Sequence, residues 1–522
     1  MLSNFVLKLN NKISNNKKPL LILFSLMGLA LIIRLYYIPY QIPISLDGIG
    51  YFLYTVAIQK EGYFPTGYLQ LNFGWSTFLS PLFLLIDSNE MLELMNVQRI
   101  MSSIISVSTA IPIYFICKTF FKKNISILGA VLFLFDPRII ENSILGISDP
   151  LFIFFVTLTI MFIFIKESKF FYISFIFAAL AGFTRYEGLL LVIPILISFF
   201  VRRNFEKLTI IKLIIGIILF ISIIMLINVT AYENSDLNIT TPLFAGINFI
   251  SNFVLLDNPN SEDEVFARDT ENKTQLFVNS AITTYLMYLA WIMIPILGLF
   301  IIPGFFLTKK KITKNKIILF IFMGVISLAP LYAYARGIEE TRYLYPLIPI
   351  LILFSCQFFD YISKKWNIKI IIITVISVSI ILSCMFLEYN KEDYEYEKEM
   401  YNAALFLSNE ADGVNNYHKN KYIKVADLQN NWPELLDKEK NGKMELVTKK
   451  FDIKNFKTPS DYIEFNKNRG LTHVLVEVGD KNGFLDDLFY NENKYPLLEK
   501  IVDSEDLGIK TKYKIFKINN EE

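Results

Sequence analysis

The chain has 522 residues, 53% of them apolar and 15% aromatic with only 19% charged, and its mean hydropathy is +0.42. That composition excludes a soluble globular enzyme, which carries about 25% charged residues, and a disordered chain, because segments this apolar cannot stay solvated. The net charge of +2, from 51 basic and 49 acidic side chains, leaves no dense basic face for a nucleic-acid partner.

Lys8, Lys12, Lys17 and Lys18 precede an apolar run at 20–38 that is too long for a signal peptide and lacks a small-residue cleavage site, so it predicts an uncleaved first span. Runs able to cross about 30 Å of hydrocarbon, or slightly short ones paired with a neighbour, follow at 97–117, 125–146, 149–165, 170–184, 187–201, 210–230, 281–306, 317–335, 343–360 and 368–387. Residues 1–387 therefore read as a polytopic α-helical membrane domain of 11 spans. With a cytoplasmic N-terminus, alternate loops carry Lys118/Lys122/Lys123, Lys166/Lys169, Arg202/Arg203/Lys207/Lys212, Lys309/Lys310/Lys311/Lys314/Lys316 and Lys364/Lys365/Lys369, as the positive-inside rule requires. This predicts a multi-pass protein of the cell membrane whose C-terminal domain is extracytoplasmic. The first outer loop, 39–96, is tyrosine-rich, and its stretch at 74–86, too short to span and broken by Pro81, predicts a helix lying in the outer interface.

Residues 388–522 have the composition of a soluble α/β domain long enough to bury its own core. A helix is expected over KEDYEYEKEMYNAALFLSNE, and strands over YIKVAD (422–427), MELVTK (444–449), THVLVEV (472–478) and KYKIFKI (512–518). The helical pieces SDYIEFNKNRG and GFLDDLFY lie between them. The domain carries no Gly-rich phosphate loop or nucleophile elbow; acceptor binding, a lid and a stabilising cap remain open roles. The three cysteines, Cys117, Cys356 and Cys384, all lie in apolar runs and supply neither a disulfide framework nor a zinc site.

A charge inside or at the rim of a bilayer costs at least ~2.5 kcal/mol, so such residues are candidates for function. Four segments hold most of them. SLDGIGYF places Asp47 just after the first span. DPRIIENSILGISDPLF (136–152) has Pro137, which should kink the third span, Arg138 and Glu141 on one helical face, and Asp149 before Pro150. Asp149 suits either an N-cap or a reactive carboxylate. AGFTRYEGLL (181–190) sets Arg185 beside Glu187, and RGIEETRYLYPLIP (336–349) carries Arg336, Arg342 and Tyr343. Simple snorkelling is the bland reading of these arginines, but the fixed guanidinium fork suits a phosphate or carboxylate. Carboxylates and arginines together fit sugar transfer from a lipid phosphate. A carboxylate can take the acceptor hydroxyl's proton, and arginines stabilise the departing phosphate.

An acid shortly after the first span, a second acid in SDPLF, the TRYEG hairpin, the RYLYPLIP segment and an outer C-terminal domain together resemble the GT-C superfamily of polyprenyl-phosphate-sugar glycosyltransferases. The protein O-mannosyltransferase and aminoarabinose-transferase-like branch is the nearest in look, over roughly residues 20–390. The resemblance implies a GT-C-like bundle, Asp47 as catalytic acid of the first loop and base toward the acceptor, Asp149 as the second-loop acid, and Arg185 and Arg342 at the lipid phosphate. Arg138 and Arg336 are further phosphate candidates, and Glu141, Glu187 and Tyr343 supporting ones. It implies membrane lipids, a polyprenyl- or dolichyl-phosphate sugar donor, and a protein, glycan or lipid acceptor as partners. Two departures stand out: Asp47 is a lone acid followed by Gly48, and NFGWS replaces a His-Pro-Pro-like element before the interfacial helix. With only His418 and His473, both in the tail, a histidine-bound metal in the membrane domain is not expected; a carboxylate-bound divalent ion stays open. The sequons at Asn238 and Asn272 read as chance. A secondary transporter or lipid flippase, and a non-catalytic assembly subunit, are the competing classes. A transporter would show paired repeats and midplane sites, whereas here the charges gather at the outer rim.

Overall fold

The computed structural model describes residues 17–519 apart from 46, 66–71, 87, 89, 166–170, 203–206, 232–237, 251–272, 309–312, 411–421, 431, 433–455, 457 and 479–484. Two compact units divide the chain: the first comprises Met1–Ile38, Gly50–Phe83 and Val97–Leu387, the second Pro39–Ile49, Leu84–Asn96 and Glu388–Glu522. Two pieces of the first loop thus group with the tail, although hydropathy alone assigned the whole loop to the membrane domain. The expected strand MELVTK and the Asn272 sequon lie outside the described residues.

In chain order the helices are α1 (Lys17–Tyr37), α2 (Asp47–Glu61), α3 (Gly74–Phe83), α4 (Met91–Ser108), α5 (Ala110–Phe120), α6 (Lys123–Leu134), α7 (Pro137–Ile144), α8 (Asp149–Phe164) and α9 (Phe171–Thr184). They continue with α10 (Val192–Arg202), α11 (Lys207–Ala231), α12 (Thr241–Ile250), α13 (Lys273–Met293), α14 (Gly298–Thr308), α15 (Lys314–Ala335), α16 (Ile348–Ile362) and α17 (Ile368–Glu410). Short 3₁₀ segments, Tyr186–Leu191 and Thr341–Leu347, lead into α10 and α16. Among the described residues six helices are long and apolar enough to cross a membrane, or seven if the bent pair α13 and α14 is one span. Four shorter apolar helices, at Lys123–Leu134, Asp149–Phe164, Phe171–Thr184 and Tyr186–Val201, fill out the bundle. Isoleucines and methionines such as Ile214, Ile218 and Met225 on α11 remain exposed, a surface that only lipid would cover. The chain is a multi-pass membrane protein.

Two expected spans are broken. The run 125–146 divides at Asp136 into α6 and α7, because Pro137 has no N–H to continue the ladder and Asp136 Oδ1 instead accepts from the N–H groups of Arg138 and Ile139, each at 3.1 Å. The carbonyl of Leu134, freed by the break, accepts from Arg34 Nη1 at 3.0 Å, while Arg34 Nε donates to Ser143 Oγ at 3.1 Å. A fully buried arginine on the first span thus supplies the donors that the break demands. The run 281–306 bends by 110° between α13 and α14, around Pro295.

In the second unit, the last part of α17 ends at Glu410. Its Glu399 side chain accepts from the backbone N–H of Thr511 at 2.9 Å and of Lys510 at 3.3 Å. Strands β1 (His473–Glu477), β2 (Leu498–Asp503) and β3 (Tyr513–Ile518) form an antiparallel sheet in the order β1-β3-β2, flanked by α19 (Pro459–Lys467) and α20 (Asp486–Tyr490). The expected strand at 422–427 is instead helix α18 (Ile423–Asn430), which buries Ile423 and Ala426 beside Met400, Tyr401 and Ala404 of α17. Tertiary burial against a helix overrode β propensity there. β2 escaped the sequence reading because its charged Glu499, Lys500 and Asp503 dilute the alternation.

Candidate active site

Asp149 begins α8, but Ser148, not Asp149, occupies the N-cap position, so the carboxylate is left for other work. It is 2% exposed and its Oδ1 accepts from Nη1 of Arg185. Arg185 stands in extended backbone between α9 and the 3₁₀ segment that follows. Its Nε donates to Glu187 Oε1 at 2.6 Å, and its guanidinium lies over the rings of Tyr343 and Phe152, 5.0 and 5.7 Å from their centroids. Arg342 approaches from the 3₁₀ segment before α16, its Nη1 3.9 Å from Asp149 Oδ2 and its Nε 3.6 Å from Glu340. Asp149 Oδ2 has no hydrogen-bond partner among the described residues. The four charges of Asp149, Glu187, Arg185 and Arg342 cancel, which is the condition for burying them.

Small residues make this hairpin possible. The Gly188 amide donates to the carbonyl of Arg185 at 2.8 Å, and a Cβ at Gly188 would lie 2.4 Å from the carbonyl carbon of Ala181. Beside the charges lies a narrow crevice lined by Phe152, Glu187, Leu190, Val325, Ile326 and Tyr343, among others. Its walls are chiefly apolar, and its polar members are Glu187, one of the four charges, and Tyr343, which Arg185 covers.

Of the residues singled out from sequence, Asp149, Arg185, Glu187, Arg342 and Tyr343 come together. Arg138 does not join them: its Nε donates to the carbonyl of Ile294 at 3.3 Å and its guanidinium sits over Trp291 and Phe386, 4.8 and 5.4 Å from the ring centroids. There it braces the bend after α13. Arg336 caps α15 and its Nη1 donates to Tyr332 Oη at 3.3 Å, one turn back. Glu141 lies half-buried on α7. Asp47 is exposed and is the first residue of α2, and one turn on, Tyr51 Oη accepts from Ser148 Oγ at 3.0 Å. The expected interfacial helix covers 74–83 rather than 74–86, with Trp75, Leu79 and Phe83 buried on one face and Phe78 exposed on the other. Sequence reasoning passed over Arg34 and Gln98 and read Tyr51 only as one of the headgroup-level tyrosines of the first loop; a charge inside the first apolar run was the available signal for Arg34. Among the described residues no group of three or more His, Cys, Asp or Glu side chains could hold a metal ion. Asp149 and Glu187 are each already bonded to Arg185. This donor set does not fit a metal.

Residues 77–231 match the family model described as dolichyl-phosphate-mannose-protein mannosyltransferase. Among solved structures, ArnT from Cupriavidus metallidurans bound to undecaprenyl phosphate superposes with a TM-score of 0.52 at 9% identity, over 96% of this chain and 99% of that one. The chain shares this fold, and its match to the family model is confined to residues 77–231. The Archaeoglobus fulgidus oligosaccharyltransferase in complex with Zn and sulfate is also similar to it, with a TM-score of 0.49 at 10% identity over 89% of this chain and 68% of that one. No curated protein matches the chain in sequence. Within this fold, the matched segment 77–231 spans α8, α9 and the Arg185 hairpin, so Asp149, Arg185 and Glu187 fall inside it.

Proposed function

We propose that the chain transfers a sugar from a polyprenyl or dolichyl phosphate to a hydroxyl of a protein, glycan or lipid acceptor at the outer face of the membrane. The carrying observation is the juxtaposition of Arg185 and Arg342, gathered on Asp149, with a narrow crevice of chiefly apolar lining. A cationic end beside a hydrocarbon-lined recess is complementary to a phosphate on a prenyl chain. ArnT, whose fold the chain shares, is described bound to undecaprenyl phosphate.

In this reading the acceptor oxygen attacks the anomeric carbon and its proton passes to Asp47. The bond from the anomeric carbon to the phosphate oxygen breaks, and the prenyl phosphate leaves with the electron pair. Arg342 and Arg185 offset the charge it gains, and Asp149 orients both guanidinium groups. The N-terminus is cytoplasmic, and residues 388–522 face the exterior with the acceptor.

The test is incubation of the purified protein with a panel of polyprenyl-phosphate sugars and mass analysis of candidate acceptors. Product should form with at least one donor, and Asp47→Asn should abolish it while donor binding persists. Parental turnover in Asp47→Asn would remove Asp47 from the mechanism, and failure of every lipid-linked donor would remove the donor class.

A further inference from the structure

Asn72, Phe73, Gly74, Trp75 and Ser76, the NFGWS segment, touch the hairpin that carries Arg185, the turn that leads to Asp149 and the helix α2. Asn72 Oδ1 accepts from the N–H of Tyr186 at 3.3 Å, immediately after Arg185. Gly74 lies flush on the end of α9, where a Cβ would come within 2.7 Å of Thr184 Cα and 2.8 Å of the Phe183 carbonyl. Trp75 is fully buried and donates Nε1–H to the carbonyl of Gly146 at 3.0 Å. The same carbonyl takes a second hydrogen bond, from Gln98 Nε2 at 2.6 Å. Gly146 holds a φ of +74°, a conformation glycine adopts readily, in the turn that delivers Asp149. Ser76 Oγ donates to the carbonyl of Tyr51 at 2.9 Å, and Tyr51 in turn receives Ser148 Oγ. Phe73 stacks on Tyr54 with centroids 4.5 Å apart.

Asp149 and Arg185 belong to separate elements, and nothing in chain connectivity fixes one against the other. A misplacement of 1 Å at a reacting group can cost on the order of 10²-fold in rate. We propose that residues 72–76, with Gln98, are a positioning clamp. They hold the Gly146–Asp149 turn and the Arg185 hairpin in one register, through backbone rather than by touching substrate. As a claim about catalysis this rests on the transferase reading above; as a claim about structure it does not.

Hydrogen exchange on the full chain in lipid nanodiscs, read by mass spectrometry, separates the two. Asn72→Ala should raise exchange over 185–188 by about tenfold, the worth of one hydrogen bond, and Asn72→Asp, which keeps an acceptor oxygen, should restore protection. Trp75→Phe, which keeps an aromatic ring but loses the N–H, should do the same over 145–150, and Ser76→Ala gives a milder third case. The rest of α8 and α9 should be unchanged. Turnover should fall by roughly tenfold or more in Asn72→Ala and Trp75→Phe with donor KM within about twofold, because positioning affects the transition state more than binding. Unchanged exchange in both segments, uniform loosening of the bundle, or full turnover in locally deprotected variants would each overturn the clamp. A parent protein that transfers no sugar would sink the transferase reading instead, and the exchange pattern would still decide whether the clamp exists.

Discussion

Replacing Arg185 by lysine keeps the charge and removes the fork. In the structure two different nitrogens of Arg185 serve two carboxylates, Nη1 on Asp149 and Nε on Glu187, and the guanidinium plane covers Tyr343 at 5.0 Å. One ammonium cannot span both acids in that geometry and has no plane to stack. Loss of one charge-assisted hydrogen bond costs about 1.5–3 kcal/mol, and loss of the stacking adds ~0.5–1 kcal/mol. If Asp149 must be held for the transition state, the sum of roughly 2–4 kcal/mol becomes a ~30- to ~900-fold fall in kcat/KM, at 1.36 kcal/mol per decade. The assay is steady-state transfer from the donor found active in the panel, run on Arg185→Lys, Glu187→Gln and the double variant. The single losses should be non-additive, since both variants break the same bonded unit. Arg185→Lys within threefold of the parent, or strict additivity in the cycle, would refute the bridging role of this arginine.

Three further outcomes follow from the fold. Gly188→Ala should lower the melting temperature and reduce turnover, because its Cβ would sit 2.4 Å from the Ala181 carbonyl carbon and such overpacking costs about 1–3 kcal/mol; an unchanged melting curve would contradict the close packing of the hairpin. In the tail, burial in β1, with Lys517 opposite, lowers the His473 pKa below its ordinary 6.5. The unfolded chain therefore binds more protons than the folded one as the pH drops through 6.5, so this unit should lose stability below that pH and be steady above it. His473→Gln should flatten that slope in exchange protection of β1, and a slope that persists would assign it to another group. A reporter fused after residue 390 should read as extracytoplasmic, and a cytoplasmic signal would break the proposed orientation.

Hydropathy was sufficient for the multi-pass class and for the placement of most apolar helices, because lipid forces backbone hydrogen bonds inside each segment and so writes span length into composition. The short words SDPLF, TRYEG and RYLYPLIP likewise picked out Asp149, Arg185 and Arg342, since charge at the rim of a bilayer is costly enough to be conspicuous. Their differing uses were not readable. Arg185 and Arg138 look alike in a sequence, yet one bridges two acids and the other is held between Trp291 and Phe386. The break at Asp136 was foreshadowed by Pro137, but not the arginine on α1 that satisfies it. Nor could local pattern reveal that residues 422–427 would pack as a helix on α17. Composition and periodicity report the solvent each residue meets, which the chain alone determines. Which arginine meets which acid depends on contacts between segments tens of residues apart, such as Asp149 with Arg185 or Trp75 with Gly146, and only the packed bundle decides those.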